Sequence, residues 1–166
     1  MLSFKDKTIA HLTGQFAQHG KVELITVRPE RGAMPVEKQD VMAIAKKGLE
    51  GDHYKGLSGK RSVTLIQKEH IDAVASMLGR EHIDPKLLRR NIVVSGINLH
   101  ALKGKKFRLG NALLEHTGPC APCSRMEENL GNGGYNAMRS HGGICCRVLE
   151  GGKIELGSSL EALSND

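Results

Sequence analysis

The sequence predicts a mostly β protein, a closed or nearly closed β-barrel with a few helical insertions. Three observations carry that expectation. Short runs of apolar and β-branched residues recur along the chain, divided by Gly, Pro and Asn turn signals. Only one segment has clear helical periodicity. Strands and helices also do not alternate as they would in a doubly wound chain, and a set of short strands without covering helices hides its edges by closing on itself.

Taken in order, Lys21 to Val27 (KVELITV) mixes alternation with β-branched residues and reads as a strand. Arg28 to Val36 carries two prolines and a glycine, so it reads as a loop. Val41 to Ala45 is a short apolar run that reads as a buried strand. Gly48 to Arg61, with four glycines and no periodicity, reads as a long irregular loop of the kind that often carries function. Ser62 to Gln67 is another strand, leading into a helix with Ile71, Val74, Ala75 and Leu78 on one face and Gly79 at its end. Asp84-Pro85 starts a second short helix, with Asp as cap and Pro at the first position. Arg89, Arg90 and Asn91 then lead into a strand from Ile92 to Ser95. Gly104 to Arg108 and Ala112 to His116 form a hairpin around Leu109-Gly110-Asn111. Ser124 to Leu130 is a helical turn or two, and Gly131 to Gly134 a turn. Cys145 to Leu149 and Lys153 to Leu156 form a second hairpin across Glu150-Gly151-Gly152.

Composition bounds the function. The chain has 166 residues, 39% hydrophobic and 25% charged, the balance of one soluble globular domain. No apolar run approaches the roughly 20 residues of a membrane span, and no secretory signal is visible, so a cytoplasmic location without membrane attachment is expected. The net charge of +6 is spread over the chain and reads as ordinary solubility. With 3% aromatics and no tryptophan there are few stacking platforms, so no nucleic-acid partner is expected.

All four cysteines fall between Thr117 and Cys146, and in a chain without a secretory signal they point to thiols or metal ligands rather than disulfides. Cys120 and Cys123 form a CxxC that a zinc site would complete with Cys145, Cys146, His116 or His141. A disulfide-oxidoreductase site would need βαβ surroundings that are missing here. Burial as small hydrophobes suits Cys145 and Cys146, which head a core strand, better than Cys123. Asp52 and His53 place an acid and an imidazole on the long loop, a pairing that is most often simply solvated. Arg89 and Arg90 have the forked geometry that suits phosphate, although such pairs are more often surface charge. Asn91 could equally cap a turn.

Together, GLEGDHY, SGKRSVTLIQKEHI, LLRRNIVVSGINL, LKGKKFRLGNALLEHTGPCAPCSRMEE and GGYNAMRSHGGI, in that order, resemble a stand-alone bacterial MOSC domain. This is the domain of the C-terminal part of molybdenum cofactor sulfurases, related to the amidoxime-reducing component. The resemblance implies a MOSC-type β-barrel over residues 20–166, with residues 1–19 as an N-terminal extension. It implies a pterin-bound molybdenum cofactor whose metal is ligated by Cys123. Molybdenum takes the cofactor's own sulfurs and accepts a thiolate, so one cysteine suffices. By the same resemblance Asn91 lies near the site, Arg89 and Arg90 are candidates for the pterin phosphate, and Asp52 and His53 line the pocket. Cys120 lies near enough to compete as ligand or to pair with Cys123 in a disulfide. Pyridoxal phosphate belongs to a separate domain of fused sulfurases and is not expected on this chain.

The implied activity is reduction of N-hydroxylated or N-oxide small molecules, with Cys123, Asn91 and His53 as catalytic residues. A separate electron-donor protein would be needed, since the chain has no recognisable flavin, haem or iron–sulfur module. Two alternatives stay open: a sulfur or cofactor carrier using a Cys123 persulfide, and a zinc-stabilised binding domain without catalysis. The oligomeric state is not legible.

Overall fold

The computed structural model describes residue 3, residues 7–54 and residues 56–164. Of the expected N-terminal extension, residues 1, 2 and 4–6 lie outside the described residues, and a short helix α1 (Ile9–Thr13) is capped by the Thr8 side chain.

The strands are β1 (Gly20–Val27), β2 (Val36–Lys38), β3 (Asp40–Ile44), β4 (Gly48–Leu49), β5 (Val63–Gln67) and β6 (Ile92–Ser95). They continue as β7 (Lys106–Leu109), β8 (Ala112–Pro119), β9 (Ile144–Glu150), β10 (Gly152–Glu155) and β11 (Ser159–Ala162). Seven of them close a ring in the order β11-β7-β8-β9-β5-β6-β1, and β1 returns to β11 through Gly20↔Leu160 and Lys21↔Ser159. β2 extends the sheet from β1, and β10-β3-β4 form a second small sheet. The expected closed barrel is the fold.

Side chains alternate along each strand and fill two cores. Leu65, Ile92, Val94, Phe107, Leu114, Cys146 and Val148 belong to the barrel interior. Their neighbours Ile66 and Val93 face outward, where helices cover them. β5 and β6 run parallel, with Leu65 opposite Ile92, and are joined by α2 (Lys68–Met77). Parallel strands need such a crossover and are buried on both faces, as these are. α2 lays Ile71 and Val74 against Ile66 and Val93, and each side chain so buried contributes about 1.5–3 kcal/mol. The outer core is completed by α3 (Ser124–Leu130) and α4 (Gly134–Met138) through Met126, Leu130 and Met138.

Three expectations need correction. Among the described residues there is one β-helix-β crossover, β5-α2-β6, which the prevalence of hairpins concealed. The second hairpin does not form, because β9 is already paired on both edges, by β8 and by β5. β10 therefore turns to β3, with Lys153 opposite Met42. The Gly151-Gly152 pair serves close approach: a Cβ on Gly152 would lie 2.5 Å from the Asn111 carbonyl. The run at Val41 is also not wholly buried, since Val41 and Ala43 face inward while Met42 and Ile44 are exposed. β2, β11 and α4 carry too few apolar residues to stand out in the sequence.

Candidate functional site

The carboxyl end of β1, the start of β6 and the long loop after β4 meet at Asn91. Its side chain is buried, and all its polar capacity goes to neighbouring elements. Oδ1 accepts from the Thr64 amide at 3.0 Å and the Thr64 hydroxyl at 3.2 Å. Nδ2 donates to the Thr26 carbonyl at 3.3 Å and to Asp52 Oδ1 at 3.4 Å. Thr64 completes the exchange by accepting from the Asn91 amide at 3.0 Å. A polar side chain so placed fixes three elements relative to one another.

Asp52 is held in the same knot. Its Oδ1 accepts from the Arg28 amide at 2.8 Å and lies 3.6 Å from Arg28 Nε. The side chain is 1% exposed, yet its Oδ2 has no hydrogen-bond partner, and neither has Arg28 Nε. A buried carboxylate oxygen without a partner is costly and marks a place where a further donor is wanted. His53 is fastened next to it, with its amide 2.8 Å and its Nδ1 3.1 Å from the Arg28 carbonyl. A carbonyl only accepts, so Nδ1 carries a proton and Nε2 is the ring nitrogen left free. Asp52 and His53 also line a cleft of about 820 Å³ with Pro29, Arg31 and Tyr54.

The two adjacent arginines do different things. Arg90 is consumed by backbone: Nε donates to Gly142 O at 2.7 Å, one terminal nitrogen to Leu88 O at 2.8 Å, and the other to Cys120 O at 3.2 Å. It latches the Cys120 segment and the Gly142 loop to β6. Those glycines are forced by the approach: a Cβ on Gly142 would lie 2.2 Å from Cys120 O, and one on Gly143, at φ +85°, 1.9 Å from Leu65 O. Arg89, in the left-handed conformation at φ 61°, is turned elsewhere. Burial lowers its guanidinium below the usual arginine range, the like charges of Arg125 and Arg28 add to this, and Cys123 acts in the opposite sense. Three guanidiniums and one thiol thus share a single electrostatic neighbourhood.

Cys123 caps the start of α3 and is exposed, whereas Cys120, three residues earlier, is buried. The CxxC is therefore split between solvent and interior. Cys145 and Cys146, successive residues of β9, face opposite sides of the sheet, with Cys146 in the barrel core. The cage of four cysteines considered for zinc does not form, and no three His, Cys, Asp or Glu side chains among the described residues are placed to hold a metal ion. Sequence reasoning missed Arg28 and Arg125. Arg28 was legible only as a loop residue after a strand, and Arg125 as one letter of the SRM segment.

The MOSC domain family matches residues 39–161, three quarters of the chain. The chain belongs to the MOSC domain family. That match spans Asp52, His53, Arg89, Arg90, Asn91 and Cys123. MOSC domains are associated with binding of the molybdenum cofactor. Solved structures agree in fold. The YuaD protein from Bacillus subtilis superposes with a TM-score of 0.79 at 20% identity, over 90% of this chain and 98% of that one. YiiM from Escherichia coli gives 0.66 at 22% identity, over 88% of this chain and 71% of that one. YiiM from Geobacillus stearothermophilus gives 0.71 at 20% identity, over 87% and 75%. No curated protein matches this MOSC chain. Among the described residues no helix is long and apolar enough to cross a membrane.

Proposed function

We propose that this MOSC protein binds the pterin-based molybdenum cofactor through Cys123 and reduces N-hydroxylated or N-oxide small molecules. The single observation that carries the reading is the exposed Cys123 thiol at the head of α3, within electrostatic reach of Arg89, which also feels the charges of Arg28 and Arg125. Arg28 and Arg89 are half-buried and Arg125 is exposed; their like charges repel through Arg89, and an anionic phosphate would relieve that repulsion while meeting guanidinium forks. The partnerless Asp52 Oδ2 adds an acceptor that a pterin N–H would satisfy. The donor set therefore fits the group: a soft thiolate for the metal, cations for the phosphate and a carboxylate for the ring.

When bound, the cofactor supplies the two-electron chemistry that removes oxygen from an N–O group. The overall change consumes two electrons and two protons, and releases the amine or amidine and water. This chain's part is to hold and to protonate. Cys123 anchors the metal, and Arg89 with Arg28 and Arg125 orients the phosphate. Arg90 sets the position of the Cys120 segment, from which the chain runs on to Cys123. Asn91 holds Asp52 in place, and His53 Nε2, the ring nitrogen left free, takes up a proton and passes it to the departing oxygen. Electrons come from a separate donor protein, and the reaction is placed in the cytoplasm.

The exposed thiol also suits one alternative, a carrier that holds sulfur as a Cys123 persulfide or passes the cofactor on. Turnover separates the two. Cofactor-loaded protein given an artificial low-potential reductant and an N-hydroxylated amidine should form the amidine, and Cys123→Ala should not. A stable extra sulfur on Cys123 without turnover would replace the reductase reading by the carrier.

A further inference from the structure

Cys120 and Cys145 have no part in the reading above, yet they are the two thiols that the fold brings together. Gly118 stands opposite Cys145 in the β8–β9 ladder and Pro119 opposite Ile144. The Cys120 amide carries the pairing one step further, donating to Gly143 O at 2.9 Å. Residues two apart on a strand share a face, so Cys120 lies diagonally across from Cys145 on the side where Gly118 offers no side chain. A Cβ on Gly118 would meet nothing within 4 Å, so the space beside Cys145 is open. The Cys145 thiol donates to the Pro119 carbonyl at 3.8 Å, which turns it toward the Cys120 end of β8, and the two thiols perturb each other's ionisation. Both are buried, but Cys120 also lines a cleft of about 480 Å³ with His100, Tyr135 and Arg139. A small oxidant can therefore reach Cys120, and only through it the pair. Cys146 faces the barrel core, and Cys123 stands in solvent.

We propose that Cys120 and Cys145 form a reversible disulfide when the protein meets hydrogen peroxide, a modification site separate from Cys123. The neighbouring Cys145 thiol holds the Cys120 thiol down at about 6, helped against burial by Arg90, Arg61 and Arg28. The Cys120 neighbour and burial push Cys145 up. Cys120 is thus the attacking sulfur and Cys145 the resolving one. The Cys120 thiolate attacks one peroxide oxygen, the O–O bond breaks, and hydroxide leaves and takes a proton to become water. The sulfenic acid so formed is displaced by the Cys145 sulfur, which gives up its proton as the hydroxyl leaves as a second water. The two sulfurs lose two electrons and peroxide gains them. A dithiol reductant reverses the change. The bond would tie the segment leading to Cys123 onto β9.

The test uses full-length reduced protein exposed to hydrogen peroxide, then alkylated, digested and mapped by mass spectrometry. The expected result is the loss of two hydrogens, a Cys120–Cys145 cross-linked peptide, and Cys123 still alkylated. Cys123→Ser should form the same cross-link. Cys145→Ser should instead leave a sulfenic acid on Cys120 that a dione probe traps. A Cys120–Cys123 cross-link in the wild type, or no cross-link with all four thiols alkylated, would overturn the proposal. These readouts are made without cofactor, so they stand or fall apart from the reductase reading.

Discussion

Asn91 offers the most quantitative test of how this site is built. Asn91→Ala removes four hydrogen bonds at 3.0–3.4 Å from a side chain that is 1% exposed. The Thr64 amide and the Thr26 carbonyl each lose the partner that this side chain supplied, and Asp52 Oδ1 loses the weaker of its two donors, keeping the Arg28 amide. An unsatisfied buried group costs about 1–3 kcal/mol, and the Thr64 hydroxyl can turn to another acceptor, so a loss of about 3 kcal/mol is expected. At roughly 2–4 °C per kcal/mol for a domain of this size, Tm falls by about 6–12 °C. Urea and thermal unfolding followed by circular dichroism measure both quantities. Asn91→Asp keeps the acceptor for Thr64 but sets a second carboxylate beside Asp52, so it too should destabilise the protein. An Asn91→Ala protein within about 0.5 kcal/mol of wild type would refute the claim that this side chain ties β1, β5 and the Asp52 loop together.

Further outcomes follow from the same geometry. Arg89→Ala should weaken cofactor retention with Tm nearly unchanged, whereas Arg90→Ala should lower Tm by releasing the carbonyls of Leu88, Cys120 and Gly142; thermal melts and pterin content separate the two. Gly143→Ala should give little folded protein, since its Cβ would lie 1.9 Å from Leu65 O at a backbone angle that favours glycine; the yield of folded protein and Tm measure this. His70 is held below the usual histidine range by burial and then by His141 and His100, so the unfolded chain takes the proton first. Stability should therefore be full above about pH 6.5 and fall as the pH drops through the lower folded value, and His70→Gln should flatten that slope in urea titrations across pH 5–7.

Much of the barrel was legible because its central strands carry the pattern on their surface. KVELITV, SVTLIQ and NIVVS are β-branched runs, and α2 presents Ile71, Val74 and Ala75 at helical spacing. The closing strand was not legible: SLEA brings a single fully buried residue, Leu160, and its pairing to β1 joins the two ends of the chain. The Gly151-Gly152 signal misled because glycine marks close backbone approach as readily as a turn. At the site, the RNI pattern drew attention to Asn91 but not to its bonds, whose partners Thr26 and Thr64 lie 65 and 27 residues away. The division of labour between Arg89 and Arg90 was equally hidden, since two of the carbonyls that take up Arg90 lie 52 and 30 residues away. That Cys120 would be buried and Cys123 exposed depends on the end of β8, which no local pattern in TGPCAPCSR locates.

The central claim is that Cys123 holds molybdenum. The direct measurement is metal and pterin content of wild type and Cys123→Ser, both purified from a host that makes molybdenum cofactor. The account predicts near-stoichiometric molybdenum and pterin in the wild type and neither in the variant, with equal Tm for the two proteins without cofactor. Equal molybdenum in both proteins, or zinc in place of molybdenum in the wild type, would contradict it.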